Sequence, residues 1–187
     1  VSKRLHPRRQ SSNCPIALLP GISQNVHLCD GPLGRALEIL STKVGAILAE
    51  VENKEKDALE FYGRNLGLTF QIADDTLDYN SELKLFGKKI GKDFFEGKVT
   101  LPIILLYQKL ENNEKNKLKE VFNKKERTKE DFNNIISLMN KYKIINECYQ
   151  KAKHYINLAS NSLSVFRDTK EKEILKKLTS FSLARNF

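Results

Sequence analysis

Residues 132–166 read FNNIISLMNKYKIINECYQKAKHYINLASNSLSVF, and apolar side chains recur through them at helical spacing. Phe132, Ile135, Ile136, Met139 and Tyr142 mark one stripe. Cys148, Ala152, Tyr155, Ile156, Ala159, Leu163 and Phe166 mark a second. Positions three and four apart share a face of an α-helix, so each series predicts a helix with a single buried stripe. The stretch lies inside a longer one, Ile103 to Phe187, which has no glycine and no proline. Rich in Lys, Glu, Leu and Ile and free of breakers, it reads as helices joined by short polar turns. Asp168 followed by Glu171 predicts a capping box that opens a last helix, with Ile174, Leu175, Leu178 and Phe181 inward. Thr128 before Asp131 is a weaker start signal of the same kind.

Upstream, a helix is predicted from Val99, with Pro102 tolerated in its first turn, where a missing N–H costs nothing. Asn80 to Lys98 has glycines at 87, 91 and 97 and no clean period, which predicts a loop. Leu33 to Val51 and Lys54 to Tyr79 are two further helical candidates. The second contains Gly63 and Gly67; glycines four apart inside a helix often mark the close approach of another backbone. No strand is predicted, and the fold class is all-α. Residues 1–32 hold four of the five prolines, are aperiodic, and read as an irregular leader loosely draped on the helical part, residues 33–187.

A chain of 187 residues suffices for one domain with a real core. Its balance, 40% hydrophobic and 29% charged, is that of a globular protein. The richest apolar run, Leu101 to Tyr107, is far short of the roughly 18 residues of a spanning helix. The apolar piece Pro15 to Pro20 is too short and too proline-broken for a signal peptide; the basic, acid-poor start fits a transit peptide somewhat better. Three cysteines (Cys14, Cys29 and Cys148) form no disulfide framework and no zinc pattern with His6, His27 or His154. They suit a reducing compartment, and the expected location is the cytoplasm or an organelle. Cys148 falls on an apolar stripe and is expected in the core. The net charge of +9 is scattered among acidic residues, as in Glu111 to Glu130, so it describes solvated helix faces and not a nucleic-acid surface.

The stretch Phe70-Gln71-Ile72-Ala73-Asp74-Asp75-Thr76-Leu77-Asp78-Tyr79 carries the chemistry. On a helix, Asp74 and Asp78 are one turn apart, and Asp75 adjoins them. Phe70, Ile72, Ala73 and Leu77 place this helix in a core. Carboxylates clustered in partly dry surroundings are costly unless something positive offsets them. Mg²⁺ is the natural counter-ion, since it takes hard oxygen ligands and bridges one or two carboxylates to substrate phosphates. The loop that follows sets Lys88, Lys89, Lys92 and Lys98 among glycines, with Asp93 between them, as a diphosphate-gripping loop requires.

Phe70-Gln71-x-x-Asp74-Asp75-x-x-Asp78, followed by Gly87-Lys88-x-x-Gly91-x-Asp93-x-x-x-Gly97-Lys98-x-Thr100-Leu101-Pro102, resembles the second-half signature of trans-isoprenyl diphosphate synthases. The Gly-Lys-x-Thr-Leu-Pro ending is similar to the longer-chain, octaprenyl-like members. Ser41-Thr42-Lys43 resembles the family's Lys-Thr site, although Val44 stands in place of the threonine, and Phe181 to Arg185 is similar to its terminal helix. The resemblance runs from about Leu37 to Phe187 and implies the C-terminal half of the all-α isoprenoid synthase bundle, as a homodimer or heteromer. It implies Mg²⁺-dependent joining of an allylic prenyl diphosphate to isopentenyl diphosphate. By position, Asp74 is then the metal ligand, with Asp75, Asp78 and Asp93 ligating or orienting its waters. Lys43, Lys88 and Lys98 grip the diphosphate, and Gln71 supports the site from its edge. Asp74-Asp75 is the only Asp-Asp pair in the chain, so the family's first aspartate-rich motif is missing. The expected protein is a truncated prenyltransferase, or alternatively a non-catalytic partner of a complete synthase.

Overall fold

Helices end where the sequence supplies a stop. In the computed structural model, which describes residues 42–80 and 90–184, helix α1 covers residues 42–48 and gives way at Glu50, whose φ is 51°. There follow α2 (Asn53–Leu77), α3 (Lys92–Phe95), α4 (Leu101–Lys109), α5 (Asn112–Asn123), α6 (Lys129–Lys141) and α7 (Ile144–Ser162). A turn of 3-10 helix, Leu163–Val165, leads into α8 (Lys170–Ala184). The described residues contain no β-strand, only an isolated bridge position at Val99. The fold is all-α, as the breaker-free sequence predicts. The leader (residues 1–32), the first part of the helix expected from Leu33, and Lys88 and Lys89 lie outside the described residues.

Three helices open on reciprocal side-chain caps. Glu52 with Glu55 caps α2, Glu111 with Glu114 caps α5, and Thr128 with Asp131 caps α6. In the last, Thr128 Oγ1 accepts from the Asp131 amide at 3.1 Å while Asp131 Oδ2 accepts from the Thr128 amide at 2.9 Å. Two N–H groups that the first turn would leave unsatisfied are thereby paired. The last helix opens one residue later than expected. Thr169 Oγ1 accepts from the Lys172 amide at 3.2 Å, and Asp168 pairs instead with the Lys172 ammonium at 2.9 Å.

The core forms around α2 and α7. Tyr62, Leu66, Thr69, Ala73 and Thr76 follow one another at intervals of four and three along α2, and all are buried. They meet Cys148, Ala152, Ile156 and Ala159 of α7, where Thr69 Oγ1 donates to the Ala152 carbonyl at 3.5 Å. Cys148 lies fully inside; burial pushes its thiol up to about 12, which suits an inert core residue. Gly63 and Gly67 are buried, but helix rotation sets them well off the stripe that meets α7, in line with Phe70 and Asp74. On α4 the short run Pro102 to Leu106 is buried throughout, which closes the core beneath α2, α6 and α7.

The orientation of α8 corrects an expectation. Leu175 packs on Tyr62 and Leu66, and Thr179 and Ser182 are buried with it, whereas Ile174, Leu178 and Phe181 are exposed. Thr179 and Ser182 can face inward because their hydroxyls donate to the Lys176 and Leu178 carbonyls, so neither is buried unpaired.

The α6 cap has a measurable signature. Thr128→Ala is expected to cost about 1 kcal/mol in urea denaturation near neutral pH. Lys124, and then the Thr128 amide, hold the Asp131 carboxyl down at about 2. A carboxyl lowered on folding adds stability above its unfolded value, and that stability is lost as pH falls through the folded one. Asp131→Asn should therefore flatten the pH dependence of stability between about 4 and 2. A wild-type profile already flat there would contradict the assignment.

Candidate functional site

Asp78 stands at the C-cap of α2, and its carboxylate turns towards the returning chain. Oδ1 accepts from the Lys92 amide at 3.1 Å, Oδ2 accepts from the Asp93 amide at 2.8 Å, and the Asp78 carbonyl accepts from the Gly91 amide at 2.9 Å. A single turn of helix, α3, is thereby anchored on the aspartate-rich helix. The loop expected over Asn80–Lys98 thus contains a helical turn that no period of so few residues could announce.

The far end of α3 is equally fixed. The Gly97 amide donates to the Phe94 carbonyl at 3.0 Å, and the Lys98 amide donates to the Asp93 carbonyl at 2.9 Å. This pair of bonds is the Schellman arrangement, and it requires the left-handed residue that Gly97 supplies at φ 75°. The chain then brings Lys98 back over α3. Its Nζ lies 2.9 Å from Asp93 Oδ1 and 2.8 Å from Glu96 Oε2, and the two carboxylates, Glu96 first, hold the ammonium above its ordinary pKa.

The three aspartates occupy three different environments. Asp74 is exposed. Asp75 is 3% exposed, and its Oδ1 accepts from Gln71 Nε2 at 2.7 Å while Oδ2 faces the Leu101 amide at 3.5 Å. Burial raises its carboxyl to about 6 despite those donors, and the charges of Asp93 and Asp74 push the same way. Asp78, 6% exposed, has both oxygens engaged by α3. The Tyr79 and Thr100 hydroxyls are buried neighbours, with no other hydrogen-bond partner among the described residues.

Gln71, Asp74, Asp75, Asp78, Asp93 and Lys98 are thus gathered towards one end of α2. Lys43 is not. Its Nζ lies 2.8 Å from Glu60 Oε2, and residue 60 is about 21 Å along the helix from residue 74. Lys88 lies outside the described residues. Sequence reasoning missed two participants. Glu96 could have been found from its spacing to Lys98, but Arg127, which reaches the Phe95 carbonyl from 32 positions away, leaves no local signal.

Among the described residues no three His, Cys, Asp or Glu side chains converge on a common point. The donor set nevertheless fits a hard divalent cation. Mg²⁺ uses one or two carboxylates and completes its shell with water and substrate phosphate, and exposed Asp74 offers an all-oxygen donor beside a cationic loop.

Residues 34–139 match the family described as Polyprenyl synthetase. The chain belongs to that family. It is 28% identical over 153 residues to the octaprenyl diphosphate synthase of Haemophilus influenzae, covering 82% of this chain and 46% of that one. A decaprenyl diphosphate synthase from Rhodobacter capsulatus superposes with a TM-score of 0.75 at 29% identity, over 82% of this chain and 47% of the other. A polyprenyl synthase from Caulobacter crescentus, crystallised with calcium and isoprenyl diphosphate, gives 0.73 at 32% identity over 81% and 46%. This polyprenyl synthetase chain therefore spans about half the length of the relatives it matches, and its described helices follow their all-α fold.

The different environments of the aspartates predict different costs. Asp78→Ala removes the cap of α3 and is expected to cost about 1–2 kcal/mol, with faster amide exchange at Lys92 and Asp93. Asp74→Ala, at an exposed position, is expected to stay within about 0.5 kcal/mol of wild type. Equal costs for the two in denaturant titrations would refute this division.

Proposed function

We propose that the chain supplies the diphosphate-binding half of a trans-isoprenyl diphosphate synthase, acting where an allylic prenyl diphosphate is joined to isopentenyl diphosphate. The observation that carries this reading is the run of contacts from α2 to Lys98: Asp78 fixes the start of α3, Asp93 lies close enough to Asp75 for their charges to interact, and Lys98 pairs with Asp93. The crystallised relative with calcium and isoprenyl diphosphate supports both ligand classes.

On this reading Asp74 would hold Mg²⁺, with Asp75, fixed by Gln71, supporting it. When bound, Mg²⁺ offsets the negative charge that gathers on a departing diphosphate. Lys98 serves the same developing charge from the chain itself, and by resemblance Lys88 does so too. Such preorganised cations act on the charge that forms as the carbon–oxygen bond of the allylic diphosphate breaks. Asp93 keeps Lys98 charged and aimed. Asp78 touches no ligand and acts by holding α3. Lys43, paired with Glu60, has no part in the site.

The present residues surround a diphosphate from one side only, since the chain has no second Asp-Asp pair. Binding and turnover should therefore separate. Calorimetry is expected to show that Mg²⁺ and inorganic diphosphate each bind more tightly in the presence of the other, and that Asp74→Ala abolishes the coupling. With radiolabelled isopentenyl diphosphate and geranyl or farnesyl diphosphate, this chain alone should give no extractable product. Loss of one preorganised donor already costs roughly 10²–10³ in rate. Absence of coupling in wild type would defeat the reading. Turnover that appears only with a separate polypeptide bearing the first aspartate-rich motif would favour a partner subunit.

A further inference from the structure

Arg127 lies in the turn between α5 and α6, on none of the elements that carry the site. Its guanidinium donates through Nη1 to the Phe95 carbonyl at 3.3 Å and through Nη2 to the Phe122 carbonyl at 2.9 Å, and it lies 5.5 Å over the Phe122 ring. Phe95 is the last residue of α3, so one arm grips the turn that presents Asp93 and Lys98, and the other grips the end of α5. The contact with Gly97 is closer still. A Cβ on Gly97 would fall 2.5 Å from Nη2 and 2.9 Å from Cζ, so the guanidinium occupies the space that any side chain at residue 97 would fill. Behind α3, Phe94 and Phe95 stack with Phe132 of α6 at ring-centroid distances of 5.4 and 5.6 Å. The turn thus leans on a rigid aromatic wall and is drawn onto it by Arg127.

From this geometry we infer that Arg127 is a positioning residue for Lys98: it holds the Gly97 turn against α5 and α6 so that the ammonium stays aimed at the diphosphate position. The inference rests on the proposed role of Lys98. Asp78 ties the start of α3 to α2, whereas Gly97 shapes its end from within the turn itself. Arg127 is the tie from this end of the turn to the body of the bundle. Planar and forked, it satisfies two carbonyls at once, which a lysine in its place cannot do.

The test uses the full chain and Arg127→Met, which keeps the stem and removes the donors, with Arg127→Lys as the partial replacement. Without ligand, amide exchange at Gly97 and Lys98 should quicken in Arg127→Met while the amides around Ala73 in α2 remain protected. With inorganic diphosphate and Mg²⁺, diphosphate affinity should fall about tenfold, as loss of a charged hydrogen bond implies, with Mg²⁺ affinity alone unchanged. Arg127→Lys should fall between. The deciding measurement is a cycle with Lys98→Gln: if Arg127 acts through Lys98, Arg127→Met causes no further loss in that background. Additive losses, or unchanged exchange at Gly97 and Lys98, would overturn the inference. Failure of the unaltered chain to bind magnesium diphosphate would strike the proposed function and the role of Lys98 with it. The exchange arm would still report on the tie itself.

Discussion

In the middle of the contact of α2 with α7 the side chains are small or carry hydroxyls: Thr69 meets Ala152 and Thr76 meets Cys148, while Tyr62 and Leu66 pack on Ala159 towards one end. Helix separation is set by what stands at the contact, and these residues allow the two backbones to come close. That contact also fixes how α2 is turned. With Ala73 facing α7, the next residue is rotated about 100° away and the one after it about 200°. Asp74 therefore emerges at the surface. Asp75 swings beneath the start of α4, where the Leu101 amide meets it and water is excluded. A single rotational setting decides which carboxylate is wet and which is dry.

The three aspartates consequently sit in separate environments, although their spacing alone suggests three equivalent ligands. The oxygens of Asp78 are engaged by the α3 amides, and a carboxylate serving as a helix cap is poorly disposed to surrender its position to a metal. Asp75 is braced by Gln71, and burial raises its carboxyl to about 6. Of the three, Asp74 is the exposed one. On the proposed reading, one exposed carboxylate backed by two positioned ones makes a modest metal site that gains from the phosphate oxygens of a substrate.

Much of this was legible in the sequence because helices announce themselves by period. The limits of α2, the two stripes on α6 and α7, and the gathering of Gln71, Asp74, Asp75, Asp78, Asp93 and Lys98 follow from spacing and motif. What could not be read depended on partners distant in sequence. α3 is a four-residue turn between two left-handed glycines, stabilised by Asp78 and not by its own propensity. Lys43 sits in a stretch that resembles a motif, yet its position on α1 delivers it to Glu60. On α8 the expected inward stripe is Ile174, Leu175, Leu178 and Phe181, and only Leu175 of these packs on the core. In this chain the inward direction is taken by Leu175, Thr179 and Ser182.

Lys98 shows how little such a site needs to change on engaging an anion. Its two carboxylate partners are unequal: the Asp93 side chain is 19% exposed and lies at the capped start of α3, whereas that of Glu96 is 44% exposed at its end. Exposed ion pairs contribute roughly 0–1 kcal/mol, because solvent screens them and long side chains lose freedom in forming them. On the proposed reading, a diphosphate oxygen that displaces Glu96 therefore gives up little. It leaves the Asp93 pair in place and meets an ammonium already charged and already oriented. The partner that must remain is the one on the capped start of the turn, and the one that can leave is exposed Glu96, held otherwise only by a 3.8 Å pairing with Lys92. An arrangement of this kind keeps the lysine in position without a ligand and releases it at small cost when one arrives.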